Sequence, residues 1–209
     1  MTRPTKAIAG IVLVLALGAA VYGWLVLQHG FSARDQPLAI EAFVARRFRH
    51  LAIPRGAREQ ANPVKATPEV LRSGLEHFAD HCASCHANNG SGDTEMGRHL
   101  YPKAPDMRLA QTQDLSDGEL FYIIENGIRL TGMPAWGNGT PESASASWAL
   151  VHFLRRVPTL TPAEIGRMKA LNPRGPEEWQ EEEATRQFLE GREAPPTSPS
   201  ISHQHKEQP

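Results

Sequence analysis

Cysteine occurs twice in the 209 residues, and both copies fall in one five-residue run, Cys82-Ala83-Ser84-Cys85-His86. None is left over for a structural disulfide. C-x-x-C followed directly by His is the attachment signature of a c-type haem. The two thiols add across the haem vinyl groups as thioethers, and His86 ligates the iron from the proximal side. Competing chemistries fit less well. A redox dithiol wants a βαβ setting and gives His86 no role, and zinc wants a second ligand pair at similar spacing. One covalent haem also constrains the fold. A domain of about 90 residues is small for an independent core, so the porphyrin supplies much of the apolar interior. A poorly folded apo-protein is expected.

A c-type haem needs a sixth ligand, and the stretch Asn126-Gly127-Ile128-Arg129-Leu130-Thr131-Gly132-Met133-Pro134-Ala135-Trp136 offers Met133. A thioether opposite His raises the reduction potential and favours electron transfer. Gly132 and Pro134 would hold the sulfur on a stiff, irregular loop. Met96 and Met107 lie in loops that could also reach the iron, although packing or surface roles suit them better. Met1 and Met168 are remote from this pattern.

The chain divides into four segments. Residues 1–28 carry Arg3 and Lys6, then an uncharged apolar run from Ala7 to Leu27. As a helix that run spans about 30 Å, the hydrocarbon thickness of a bilayer. It is longer than a usual secretory signal core, and Tyr22 and Trp24 near its outer end suit an aromatic belt. We read it as an uncleaved signal anchor, with removal as a signal peptide the alternative. The charges before it place the N-terminus inside and the remainder on the periplasmic side. Residues 29–66 form a connector. Phe43, Val44, Phe48 and Leu51 recur there at near-helical spacing, fitting either a small docking helix or a partly ordered stalk. Residues 67–157 hold the haem motif. Residues 158–209 are an acidic, Pro-punctuated extension, partly disordered, with a Pro- and Ser-rich end closing in His203-Gln204-His205.

Within residues 67–157 three helices are expected and no convincing strand pair. Thr67-Pro68-Glu69 opens the first, whose stripe is Val70, Leu71, Leu75 and Phe78. Ser116 caps a second over residues 117–126, with Leu120, Ile123 and Ile124 inward and Gly127 ending it. A third covers residues 147–156, with Trp148, Val151, Phe153 and Leu154 apolar. Arg98, Tyr101, Lys103, Arg108 and Arg129 are candidates for binding the haem propionates, Arg129 foremost because it sits four residues from Met133. His77 and His81 flank the motif but are poorly placed to ligate the iron. His99 and His152 read as packing or surface residues.

From about residue 67 to 157 the chain resembles a class I monohaem cytochrome c domain. The resemblance runs through His81-Cys82-Ala83-Ser84-Cys85-His86-Ala87, Gly90-Ser91-Gly92-Asp93, Pro105-Asp106-Met107 and Leu115-Ser116-Asp117-Gly118-Glu119-Leu120. It continues through Asn126-Gly127-Ile128, Gly132-Met133-Pro134-Ala135-Trp136 and Trp148-Ala149-Leu150-Val151. It implies an all-α fold around one haem c, held through Cys82 and Cys85, with His86 proximal and Met133 distal. It further implies that Gly74 permits a close crossing by the C-terminal helix. The backbone carbonyl of Pro105, or of a neighbour, would accept a bond from the His86 ring N–H. Asn88-Asn89 and His152 depart from the family's usual residues, and neither touches a ligand position.

These features point to an electron-transfer protein and not an enzyme: a membrane-tethered carrier, or the cytochrome subunit of a respiratory or dehydrogenase complex. Its partners would be redox proteins and, through residues 7–27, the lipid bilayer. A haem-based gas sensor with a labile Met133 is the alternative, and a peroxidase-type enzyme a more distant one. No nucleic-acid patch is present, and the net charge of −1 decides nothing.

Overall fold

Thr-Pro pairs start three of the helices. The Thr67, Thr140 and Thr161 hydroxyls accept from the backbone N–H of Val70, Ser143 and Glu164 at 3.3, 3.2 and 3.3 Å. Each satisfies one of the donors that a helix start leaves open, and the Pro that follows has no N–H to satisfy. Ser116 caps a fourth start reciprocally, since Glu119 N donates to its Oγ while the Glu119 carboxylate accepts from Ser116 N.

The computed structural model describes residues 3–30 and 32–192. Among them no strand occurs, and the all-α expectation holds. In chain order the helices are α1 (Arg3–His29), α2 (Ala39–Ala52), α3 (Arg55–Arg58), α4 (Pro68–His77), α5 (Ala83–His86), α6 (Glu95–Arg98) and α7 (Ala110–Gln113). They continue as α8 (Asp117–Asn126), α9 (Pro141–Arg156), α10 (Pro162–Lys169) and α11 (Pro176–Leu189). A π-helical turn, Phe78–Cys82, joins α4 to α5. Helix α1 contains the expected apolar run and is long and apolar enough to cross a bilayer.

The core forms where α4 crosses α9. A Cβ on Gly74 would lie 2.4 Å from the Ala149 carbonyl oxygen, so only glycine allows this approach. Phe78 and Phe153 meet just beyond the crossing, ring centroids 5.1 Å apart, and both are fully buried. Helix α8 closes the other side of α9 with Leu120 and Ile124 inward, and Phe121 stacks on Trp148 at 4.0 Å. Burying each such side chain contributes roughly 1.5–3 kcal/mol.

The packed unit extends beyond both expected ends of the haem domain. On the N-terminal side, part of the connector is built into the core. Ile53 is 3% exposed, Ser116 Oγ donates to the Arg58 carbonyl, and Asn62 Nδ2 donates to the Trp148 carbonyl. A free stalk therefore does not describe residues 50–64. His152, expected as a packing or surface residue, bonds the Val64 carbonyl through Nε2 at 2.7 Å. On the C-terminal side, α10 carries Met168 into the core at 0% exposure. Helix α9 starts at Pro141, six residues before its expected start.

The chain divides into two compact units after Leu171. The second holds α11, which carries the acidic run from Glu177 to Glu183. Arg174 lies 5.4 Å from the Trp179 ring centre. The expected disordered tail from Ala194, with His203 and His205, lies outside the described residues.

Candidate functional site

Helix α4 delivers the chain into the C-x-x-C-H run through the π-helical turn, a geometry that recurs where a helix carries a functional residue. Cys82 ends that turn, and Cys85 and His86 follow in α5. Both thiols are free and half-buried. Burial, reinforced by the neighbouring Cys85, pushes the Cys82 thiol up to about 12, and burial also raises Cys85. Both therefore stay neutral near pH 7.

The loop after His86 folds back beneath it. Ala87 takes a positive φ of 59°, and Gly92 N donates to the His86 carbonyl at 2.9 Å. Thr94 Oγ1 donates to the Ser84 and Cys85 carbonyls at 2.8 and 3.2 Å. Two glycines make this wrap possible. Gly92 sits at φ +71°, and a Cβ there would meet the Ala104 oxygen at 2.3 Å. At Gly97 a Cβ would lie 2.2 Å from the Cys85 carbonyl oxygen. The segment carrying Pro105 is thereby pressed against the haem motif.

His86 is only 8% exposed, and burial pulls its pKa below the ordinary imidazole value, with the Pro105 carbonyl opposing. That carbonyl stops short of a formed hydrogen bond, and Nδ1 is left buried and unpartnered. Two thiols and a neutral imidazole gathered at one place fit a site that a bound group completes. A c-type haem matches that donor set: two thiols for the vinyl groups and a neutral imidazole for the iron.

Met133 lies half-buried on the loop between α8 and α9. Ile128 N donates to the Met133 carbonyl at 3.1 Å, and Met133 N donates to Thr131 Oγ1 at 3.1 Å, so the loop is pinned at both flanks. One contact brings this loop to the haem motif and a second to the loop after α6. The Trp136 ring meets the His81 ring edge-on at 5.2 Å, one residue before Cys82. Leu100 packs where a Gly132 Cβ would stand, its methyl carbon 2.6 Å away, so a side chain there would push the leucine aside. Met96 is exposed, and Met107 packs against the core.

Of the propionate candidates, three are engaged elsewhere. Arg98 pairs with Asp93 at 2.5 Å, Arg108 forks onto both Asp106 oxygens at 2.8 and 2.7 Å, and Tyr101 OH donates to Glu41 at 2.6 Å. Among the described residues Arg129 and Lys103 have no such carboxylate, and Arg129 is exposed on the Met133 loop. His77 is half-buried. Burial and then His81 lower its pKa, against Asp80. Leu100 was not singled out from sequence, and nothing local in its surroundings marks it. Its role appears only when two loops distant in sequence meet.

A family model described as Cytochrome C oxidase, cbb3-type, subunit III matches residues 69–154, from the first turn of α4 to the last turn of α9. The match covers the haem motif, the Pro105 segment and the Met133 loop together.

Proposed function

We propose that this chain, whose residues 69–154 form a class I monohaem c-type cytochrome domain, is a membrane-tethered electron carrier or the cytochrome subunit of a membrane redox complex. When bound, haem c supplies a one-electron Fe(III)/Fe(II) couple. Cys82 and Cys85 would hold it covalently, and His86 and Met133 would supply a nitrogen and a sulfur to its iron. The Pro105 carbonyl, close enough to the ring to act on its pKa, would orient His86 by accepting its remaining N–H. Helix α1 anchors the chain with the haem domain on the periplasmic side.

The observation that carries this reading is the meeting of the Met133 loop with the attachment segment through Trp136 and His81. His86 and Met133 together would supply the ligand pair that favours electron transfer. Arg129, without a carboxylate partner, is available to a propionate. Met133→Ala tests the assignment. The reduction potential should fall, and the reduced protein should bind CO. An unchanged potential with no CO binding would remove Met133 from the iron.

A further inference from the structure

Helix α2 presents an apolar face that nothing among the described residues covers. Ile40, Phe43, Val44, Phe48 and Leu51 are all exposed, Phe43 at 59% and Phe48 at 68%. At 100° per residue they occupy an arc about 140° wide. The back of the same helix and its two flanks are the parts bound to the haem domain. His50 Nδ1 meets the buried Glu119 carboxylate at 2.7 Å, and Arg58 donates to the other His50 nitrogen at 2.9 Å. Glu41 accepts from Tyr101, and Ile53 at the C-cap is buried. The helix is therefore clamped at its back and flanks and bare on the remaining face.

We infer that this bare face lies on the outer surface of the lipid bilayer, as an interfacial helix beside the chain's own transmembrane segment. Three observations select lipid. First, only nine residues separate the end of α1 at His29 from Ala39. That linker reaches at most about 30 Å, so α2 cannot leave the neighbourhood of the membrane. Second, the charge on α2 suits anionic headgroups. Arg46 and Arg47 are exposed, and the one acid of the helix, Glu41, is already bonded to Tyr101, while Arg49 is turned toward Glu119 in the domain. Arg47 falls inside the apolar arc, and its long stem lets the guanidinium rise to the phosphates while the helix stays down. Third, the patch is too small for a stable dimer. Five partly exposed side chains offer on the order of 500 Å², against about 800 Å² per partner in a standard interface.

The consequence is orientation. A helix fixed to the haem domain on one side and to lipid on the other would stop the domain from swinging freely on its tether. The inference rests on α1 spanning the membrane, and the test separates the two claims.

The experiment places p-benzoylphenylalanine at Phe43, at Phe48, and at the exposed Glu142 as a control, in full-length holoprotein. The protein is held in nanodiscs of phosphatidylethanolamine and phosphatidylglycerol. After illumination, peptides are weighed for adducts. Lipid adducts at positions 43 and 48, and none at 142, are expected. Cross-links to a second copy, or no adduct at either position in disc-bound protein, would overturn the inference while leaving the anchor intact. A chain that does not associate with the discs would overturn both. The haem absorbance of each variant confirms that its fold is preserved.

Discussion

Gly74→Ala is expected to destabilise the protein by roughly 1–3 kcal/mol, although alanine is the better helix former. The new Cβ would stand 2.4 Å from the Ala149 oxygen, 2.9 Å from the Ala149 carbonyl carbon and 2.9 Å from the Phe153 Cβ. Two of these are backbone atoms that cannot rotate away, so α4 and α9 must part by about 1 Å to restore ordinary contact. A gap of that size forfeits a quarter to a half of the dispersion energy across the crossing. The helices meet there through Phe78 and Phe153, both fully buried. A loss of about 2–4 kcal/mol, offset by about 1 kcal/mol of helix propensity, gives the net figure. Gly166 in α10 is the control, because a Cβ there meets nothing within 4 Å. Gly166→Ala should stabilise by about 0.5–1 kcal/mol. Urea unfolding of the holoprotein in detergent, followed by tryptophan fluorescence, reads both variants. With a slope of 1–3 kcal/mol per molar, the midpoint for Gly74→Ala should drop by about 1 M. Two variants stabilised alike would refute the close crossing.

Gly97→Ala drives a Cβ into the Cys85 and Gly92 carbonyl oxygens, 2.2 and 2.5 Å away. It should lower the yield of covalent haem per chain, measured by haem stain against antibody signal, and an unchanged ratio would contradict the tight wrap. Glu119 is pushed upward by burial. The Ser116 N–H and His50 outweigh that and hold its pKa below the usual carboxylate value. Its contribution to stability is therefore present above the unfolded pKa and lost as pH falls through the lower folded value. Glu119→Gln should be less stable than the parent at neutral pH, with the difference shrinking on acidification; urea midpoints across pH test it, and a constant difference would remove the ionised clamp. His152→Phe deletes the bond to the Val64 carbonyl and should cost about 1 kcal/mol. Hydrogen exchange should rise selectively at residues 62–66, and an unchanged rate there would make the strap irrelevant.

Features set by local chemistry were legible in the sequence. The haem run, the Ser116 capping box and the α8 boundaries each depend on residues within four positions of one another. The same Thr-Pro signal that marked α4 also starts α9 and α10. Reading Pro141 and Pro162 as helix starts would have corrected the α9 boundary and brought Met168 into the core. Arg98 and Arg108 likewise have acids at short range, Asp93 and Asp106, which compete for them ahead of any haem carboxylate. What stayed hidden depends on long-range meetings. His50 and Glu119 are 69 residues apart, and His152 and Val64 are 88 apart. No local pattern announces such partners. The connector therefore reads from sequence as either a docking helix or a partly ordered stalk, and its binding to the domain through His50, Arg58 and Asn62 shows only in the structure.

The central claim is that the haem is ligated by His86 and Met133. Its most direct test is the optical spectrum of the intact holoprotein, oxidised and then reduced, with CO added to the reduced form. A weak near-infrared sulfur-to-iron charge-transfer band in the oxidised state, with no spectral change on adding CO, is the result the account predicts. An oxidised protein without that band, and a reduced one that binds CO rapidly, would contradict it and leave an accessible iron in place of an electron carrier.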